Sequence, residues 1–200
     1  MSLIPYPNQP KLENLQYGKI ITKAFLKING YNWIEPDLIK NYQNITWNKS
    51  SNVFRGQFLG RSKSNIKIQI DLSKCKNPVG VPGFSWSFTG YKADITPAGV
   101  LAHEVGHYVD FMSDWQFSQF FRKCPGKAVS SYEPNELEKF AESMRLFILN
   151  PELLKAANNN RYQTLIEFGL KPIINKPWEL VLKNANQQII SATKSWINRE

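Results

Sequence analysis

The chain is predicted to be an α+β protein, with a small, twisted, mostly antiparallel sheet packed on a central helix and a helical C-terminal half. Three observations predict this. Asn65–Leu72 alternates with a period of two, which puts Ile66, Ile68, Ile70 and Leu72 on one face of a strand. Thr96-Pro97 supplies an N-cap and a first helical residue, and the helix that follows has too little polar surface to lie anywhere but the centre. From Pro134 onward, apolar residues recur at helical spacing, broken at Asn150-Pro151 and at Gly169. Without internal repeats, low-complexity tracts or a Ser/Gly linker, residues 1–200 are expected to form one domain. In it, 1–95 carries an N-terminal helix and the sheet, and 96–200 is the helical region.

In chain order, the first helix is expected over 12–28, from the spacing of Leu12, Leu15, Ile20, Ala24, Phe25 and Ile28. Pro36 suits a first helical position, so a short helix is expected after it. Val53–Leu59 is expected as the strand neighbouring Asn65–Leu72, with Gly60 to Ser64 as the turn. Residues 77–90 are punctuated by Gly and Pro and read as a loop entering a short aromatic strand. The helix from Pro97 buries Val100, Leu101, Val105, Tyr108, Val109 and Met112. The helix from Pro134 to about Leu149 has a core stripe of Leu137, Phe140, Ala141, Met144, Phe147 and Ile148. Further helices are expected near 151–158, 161–168 and 177–198, with Gly169 just past the end of one of them.

A hydrophobic content of 42%, with six Trp, eight Tyr and twelve Phe, supports a packed core and argues against disorder. No apolar run reaches the roughly 18 to 20 residues of a membrane span, so no membrane partner is expected. The start, Met-Ser-Leu-Ile-Pro-Tyr-Pro-Asn, lacks the basic and apolar regions of a signal peptide; a cytoplasmic location is the expectation, with a virion or host cell as the alternative. Cys75 and Cys124 are too few for a disulfide scaffold and form no CxxC pair. They are expected as free thiols, a single bridge or a ligand role being the alternatives. Residues 1–102 carry 13 Lys/Arg against 5 Asp/Glu, a balance of +8 out of the chain's +9. Because these cations are scattered singly, a basic surface is favoured over a nucleic-acid site.

The two histidines of the chain stand four residues apart in Leu101-Ala-His-Glu-Val-Gly-His-Tyr-Val-Asp110. On a helix, i and i+4 share a face, so His103 and His107 can hold one metal ion while Glu104 stands beside it to take a proton from water. Catalytic zinc usually takes three protein ligands and leaves one position open. Asp110 lies too far along the helix axis to close such a site but can orient a histidine by a hydrogen bond. Ser113 stands where an extended version of the motif would put a third ligand, which counts against that arrangement. Glu138 and Glu142, four apart on the next strong helix, border its apolar stripe. They are candidates for a ligand and for a group supporting one; the bland alternative is that both face solvent.

His103-Glu-Val-Gly-His-Tyr-Val-Asp110, together with Asn135-Glu-Leu-Glu-Lys-Phe-Ala-Glu-Ser-Met-Arg-Leu-Phe147, resembles the family of the anthrax lethal factor catalytic domain. That family includes the Pro-Pro endopeptidases and small phage-encoded zinc peptidases, all gluzincins. The resemblance covers about residues 96–150 and implies a zincin-like fold. It also implies that Glu138 is the third ligand, that Glu142 supports a ligand histidine, and that Tyr132 is the tyrosine that stabilises the tetrahedral intermediate. The interval from Tyr132 to Glu138 is one residue shorter here than in lethal factor.

The function expected from these readings is a Zn²⁺-dependent metallopeptidase acting on a peptide or protein. His103, His107 and Glu138 hold the metal, Glu104 is the general base and Tyr132 opposes the oxyanion charge. Two alternatives remain: a basic nucleic-acid- or polyanion-binding protein with a structural or vestigial zinc site, and a zinc hydrolase of non-peptide amides. Asn65–Leu72 is a candidate edge for an extended substrate.

Overall fold

The computed structural model describes residues 9–40, 55–77 and 93–173. The first helix, α1 (Gln9–Ile28), forms as expected and starts earlier than predicted. It is rotated from the predicted face, however: Leu12, Ile20 and Ile28 are exposed, and the buried stripe is Asn14, Leu15, Gly18, Thr22, Phe25 and Leu26. The small residues of that stripe let α1 lie close to the start of the central helix. Asn14 Oδ1 there accepts the Ala98 N–H at 2.8 Å, satisfying one of the donors a helix start leaves open.

The sheet has three strands in the order β1-β3-β2: β1 (Asp37–Leu38), β2 (Gly56–Ser62) and β3 (Asn65–Ile70). β2 and β3 are antiparallel, with Phe58 opposite Ile68 and Gly56 opposite Ile70. β1 replaces the helix expected after Pro36; it pairs in parallel with Gln69 and Ile70 of β3. The turn is shorter than predicted. β2 runs on through an irregularity between Gly60 and Ser62, so only Lys63 and Ser64 connect it to β3. The alternation of β3 holds, with Ile68 and Ile70 fully buried and Lys67 exposed. Among the described residues β3 is the middle strand, although β1 covers it only at Gln69 and Ile70, and β2 is an outer strand that offers an extended substrate an edge as well. Val53 and Phe54 of the predicted strand, residues 78–90 of the predicted loop and aromatic strand, and the helix expected at 177–198 lie outside the described residues.

The central helix, α2 (Pro97–Met112), is buried at most positions and touches α1, β2, β3 and the helices that follow. Thr96 caps it, its side chain accepting the Gly99 N–H, with Pro97 at the first position. Phe58 of β2 packs against Tyr108 and Phe111, which lays β2 along the length of α2. A short helix not predicted from the sequence, α3 (Gln116–Phe121), follows a turn in which Asp114 and Trp115 both take positive φ (59° and 63°).

α4 (Glu136–Leu149) begins two residues after Pro134, because Asn135 is its N-cap and accepts the Glu138 N–H at 3.0 Å. Its predicted stripe is buried except for Leu137, which is exposed. α5 (Pro151–Ala157) and α6 (Asn159–Glu167) are capped by Asn150 and Asn158. Gly169 has φ +83°, and its N–H and that of Leu170 fold back on Ile166 and Leu165, the closure expected of a glycine past a helix end. Among the described residues, no helix is long and apolar enough to cross a membrane. Cys75 and Cys124 are both free and buried, and burial pushes the Cys75 thiol up to about 12.

Candidate metal centre

Two helices bring the predicted residues together. α2 carries His103 and His107 one turn apart, and the first turn of α4 carries Glu138. Gly106, between the histidines, faces α4. A Cβ there would lie 2.9 Å from Ala141 Cα and 3.0 Å from Met144 Cβ, so the helices meet nearly backbone to backbone only because this residue has no side chain. That closeness lets the short Glu138 side chain reach the imidazoles.

The three donor atoms form a tight triangle. His103 Nε2 and His107 Nε2 are 3.2 Å apart, and Glu138 Oε2 lies 3.0 Å from the first and 3.6 Å from the second. Zinc bonds of about 2.0–2.1 Å in a tetrahedral site would space the ligand atoms roughly 3.3 Å apart, which these edges bracket. Glu138 Oε2 is shut off from solvent without a well-formed hydrogen bond, so its contact with the rings is electrostatic. The other ring nitrogen of His103, Nδ1, is 2.8 Å from Glu142 Oε1. A carboxylate only accepts, so Nδ1 carries a proton, and it is the neutral form of the ring that turns the Nε2 lone pair toward Glu138. Lone pairs and a carboxylate converging on one point call for a proton or a cation between them. A divalent metal fits this donor set.

Glu142 is itself held from behind. Arg145 Nε donates to its Oε1 at 3.1 Å and Arg145 Nη2 to its Oε2 at 2.9 Å, and both side chains are almost fully buried. Arg145 and His103 thus hold the Glu142 carboxyl well below the usual range, although burial opposes them. Burial would also depress the His103 imidazolium, but Glu138 and Glu142 outweigh it and hold the group at about 10 in the metal-free protein. Burial likewise works to raise Glu138, and the two imidazoles bring it down to about 2.

These shifts fix a pH dependence. The stabilisation tied to His103 is fully present below 6.5 and is lost as pH climbs toward about 10. That tied to Glu138 is present above 4.5 and is lost as pH falls toward about 2. A metal on Nε2 takes the proton's place. Above pH 6.5, the melting temperature should therefore fall more steeply with pH in chelator-treated protein than in zinc-loaded protein. Parallel slopes in the two melting series would show that metal and proton do not compete at His103.

Glu104 is not one of the three clustered donors; with Arg55, Gly56, Val100, His103 and Tyr132 among others it lines a cleft of about 210 Å³. Its carboxylate accepts the Phe58 N–H of β2, and burial raises its pKa, countered in part by the two histidines. Gly56 makes room for it: a Cβ there would fall 2.8 Å from Glu104 Oε1 and 2.4 Å from Val100 Cγ1. Tyr132, on the loop before α4, is 48% exposed, with its ring 5.9 Å from that of His103. Burial and the carboxylates of Glu138, Glu104 and Glu142 push its phenol up.

Asp110 does not take the predicted part. Its Oδ1 accepts the Ser118 N–H at 3.0 Å and the Ser113 hydroxyl at 3.4 Å, and it bonds to neither histidine. The turn at Asp114 and Trp115 brings α3 back over the end of α2. Trp115 has no side-chain acceptor to cap α3, so Asp110 does so from the preceding helix. Sequence reasoning missed Arg145, although its i+3 spacing from Glu142 is a readable signal. It also missed Arg55 and Gly56, which nothing local to β2 marks. Neither cysteine belongs to the ligand cluster, which among the described residues is His103, His107 and Glu138. Compared with protein-family models, curated proteins and solved structures, the chain gives no match.

Proposed function

We propose that the protein is a zinc-dependent endopeptidase with a zincin-like arrangement, in which a small sheet lies along the HExxH helix and the third ligand comes from α4. The observation that carries this reading is the convergence of His103, His107 and Glu138 on one point, with Glu104 beside it, outside the triangle and lining a cleft. A protein using its metal only for structure does not need a buried carboxylate at the mouth of an open site. Bound there, Zn²⁺ supplies a Lewis acid that polarises a carbonyl and makes water more acidic.

The chain's own residues do the rest. Glu104 accepts a proton from water as the oxygen attacks the scissile carbonyl carbon. It then returns that proton to the amide nitrogen as the C–N bond breaks. The Tyr132 hydroxyl donates a hydrogen bond to the carbonyl oxygen as charge builds on it. Glu142, backed by Arg145, fixes the tautomer and tilt of His103. An extended substrate lies along β2, the edge strand that passes Glu104 at Gly56 and Phe58.

Cleavage-site profiling of a proteome-derived peptide library with zinc-loaded protein should give a defined set of cut peptides, abolished by a chelator and restored by zinc. Binding of nucleic acid with a steep salt dependence, and no peptide cut, would favour the polyanion-binding alternative.

A further inference from the structure

Tyr132 stands on a loop without regular secondary structure, yet the backbone around it is tied down from several directions. Glu133 Oε1 accepts the N–H groups of Val129 at 2.7 Å and Ser130 at 3.0 Å, so the chain before Tyr132 folds onto the carboxylate of the residue after it. Ser130 Oγ accepts the Tyr132 N–H at 3.0 Å. Arg161 of α6 grips both oxygens of Glu133, at 2.9 and 2.8 Å, and reaches Ser143 Oγ on α4 at 3.1 Å. Asn158 caps α6 through the Arg161 N–H and donates to the Lys127 carbonyl at 2.7 Å, so α6 and the loop share an anchor.

The Arg161 and Glu133 side chains are only 2% and 6% exposed. Burying such a pair is a poor source of stability, because desolvation cancels most of the attraction and apolar residues of the same volume do as well. A two-point fork combined with two backbone donors does set a fixed geometry, which apolar packing does not. Through Ser143 that geometry is referred to α4, the helix that carries Glu138.

We infer that Glu133 and Arg161 are positioning residues that hold the Tyr132 phenol over the metal centre. This rests on the reading of Tyr132 as the oxyanion donor. The pair touches neither substrate nor metal and acts only through the loop.

Two readouts test it. In protein labelled with 3-fluorotyrosine, the ¹⁹F signal of Tyr132 is identified by its loss in Tyr132→Phe. In Glu133→Gln that signal should move toward the position of free fluorotyrosine, with zinc content unchanged. On the peptide cleaved fastest from the library, Glu133→Gln should lower kcat about tenfold with KM preserved, within the roughly 10²-fold that a misplacement of about 1 Å costs. In the Tyr132→Phe background, the same substitution should cost less than about twofold.

A full loss in that background, or an unmoved ¹⁹F signal, overturns the inference and leaves the peptidase reading standing. An unchanged kcat in Tyr132→Phe alone instead strikes the role of Tyr132 on which the inference rests. If Glu133→Gln does not fold, Arg161→Lys, which keeps the charge but loses the fork, is read by the same criteria.

Discussion

Replacing Glu104 by Gln is expected to leave the zinc content at one per chain and to reduce peptide hydrolysis by about 10²- to 10⁴-fold, the range general acid–base groups contribute. Glu104 stands outside the ligand triangle, so its loss takes nothing from the metal. The glutamine keeps the shape and the oxygen that accepts the Phe58 N–H, so the local fold is preserved. What it loses is the ability to take a proton. Burial already raises the Glu104 carboxyl, bringing it closer to the range where one group can both accept a proton from water and give it to an amine. Zinc by mass spectrometry and turnover on a single peptide check this together. Retained zinc with unchanged turnover would remove Glu104 from the chemistry.

Arg145→Met is expected to be the most destabilising single change at the site. Arg145 is 1% exposed and neutralises the equally buried Glu142. Removing one partner of such a pair costs up to about 3–5 kcal/mol, because the buried Glu142 carboxylate is left with His103 as its remaining partner. For a chain of this size, that is a fall in melting temperature on the order of 10 °C. Zinc affinity should drop as well, by roughly 10- to 100-fold, since Glu142 loses the fork that fixes it against His103. The double variant Arg145→Met/Glu142→Leu separates the two effects: it should recover most of the lost melting temperature and none of the lost affinity. A single variant that melts within about 2 °C of the wild type would show that the pair carries little of the stability.

Much of the architecture was readable because it is written in short-range periodicity. The i, i+4 spacing of His103 and His107, and of Glu138 and Glu142, fixes which side chains share a face, whatever the rest of the chain does. The cap at Thr96, the helix stop at Asn150-Pro151 and the glycine past a helix end at Gly169 are equally local, and the structure places each where the sequence suggested.

Most of the misreadings involve residues whose role is set by something outside their own element. Asp37 and Leu38 form a strand rather than a helix only because β3 offers them an open edge. The face of α1 is chosen by Asn14 and Gly18, which suit the start of α2, and not by the larger Ile20. Asp110 sits next to the motif, but the turn at Asp114 and Trp115 brings Ser118 to it first. Glu133 carries no pattern at all, since its partner is 28 residues away.

The contact between Gly106 and Ala141 bears on how the protein would take up a metal ion at this cluster. The spacing of the three donors is inherited from two helices pressed together in the interior, not imposed by the metal on a slack chain. Zinc fingers stand at the opposite extreme, having no tertiary structure until the ion arrives. On the zinc reading proposed above, the cage would stand before the ion arrives, so capture should order little of the chain and removal of the metal should leave it folded.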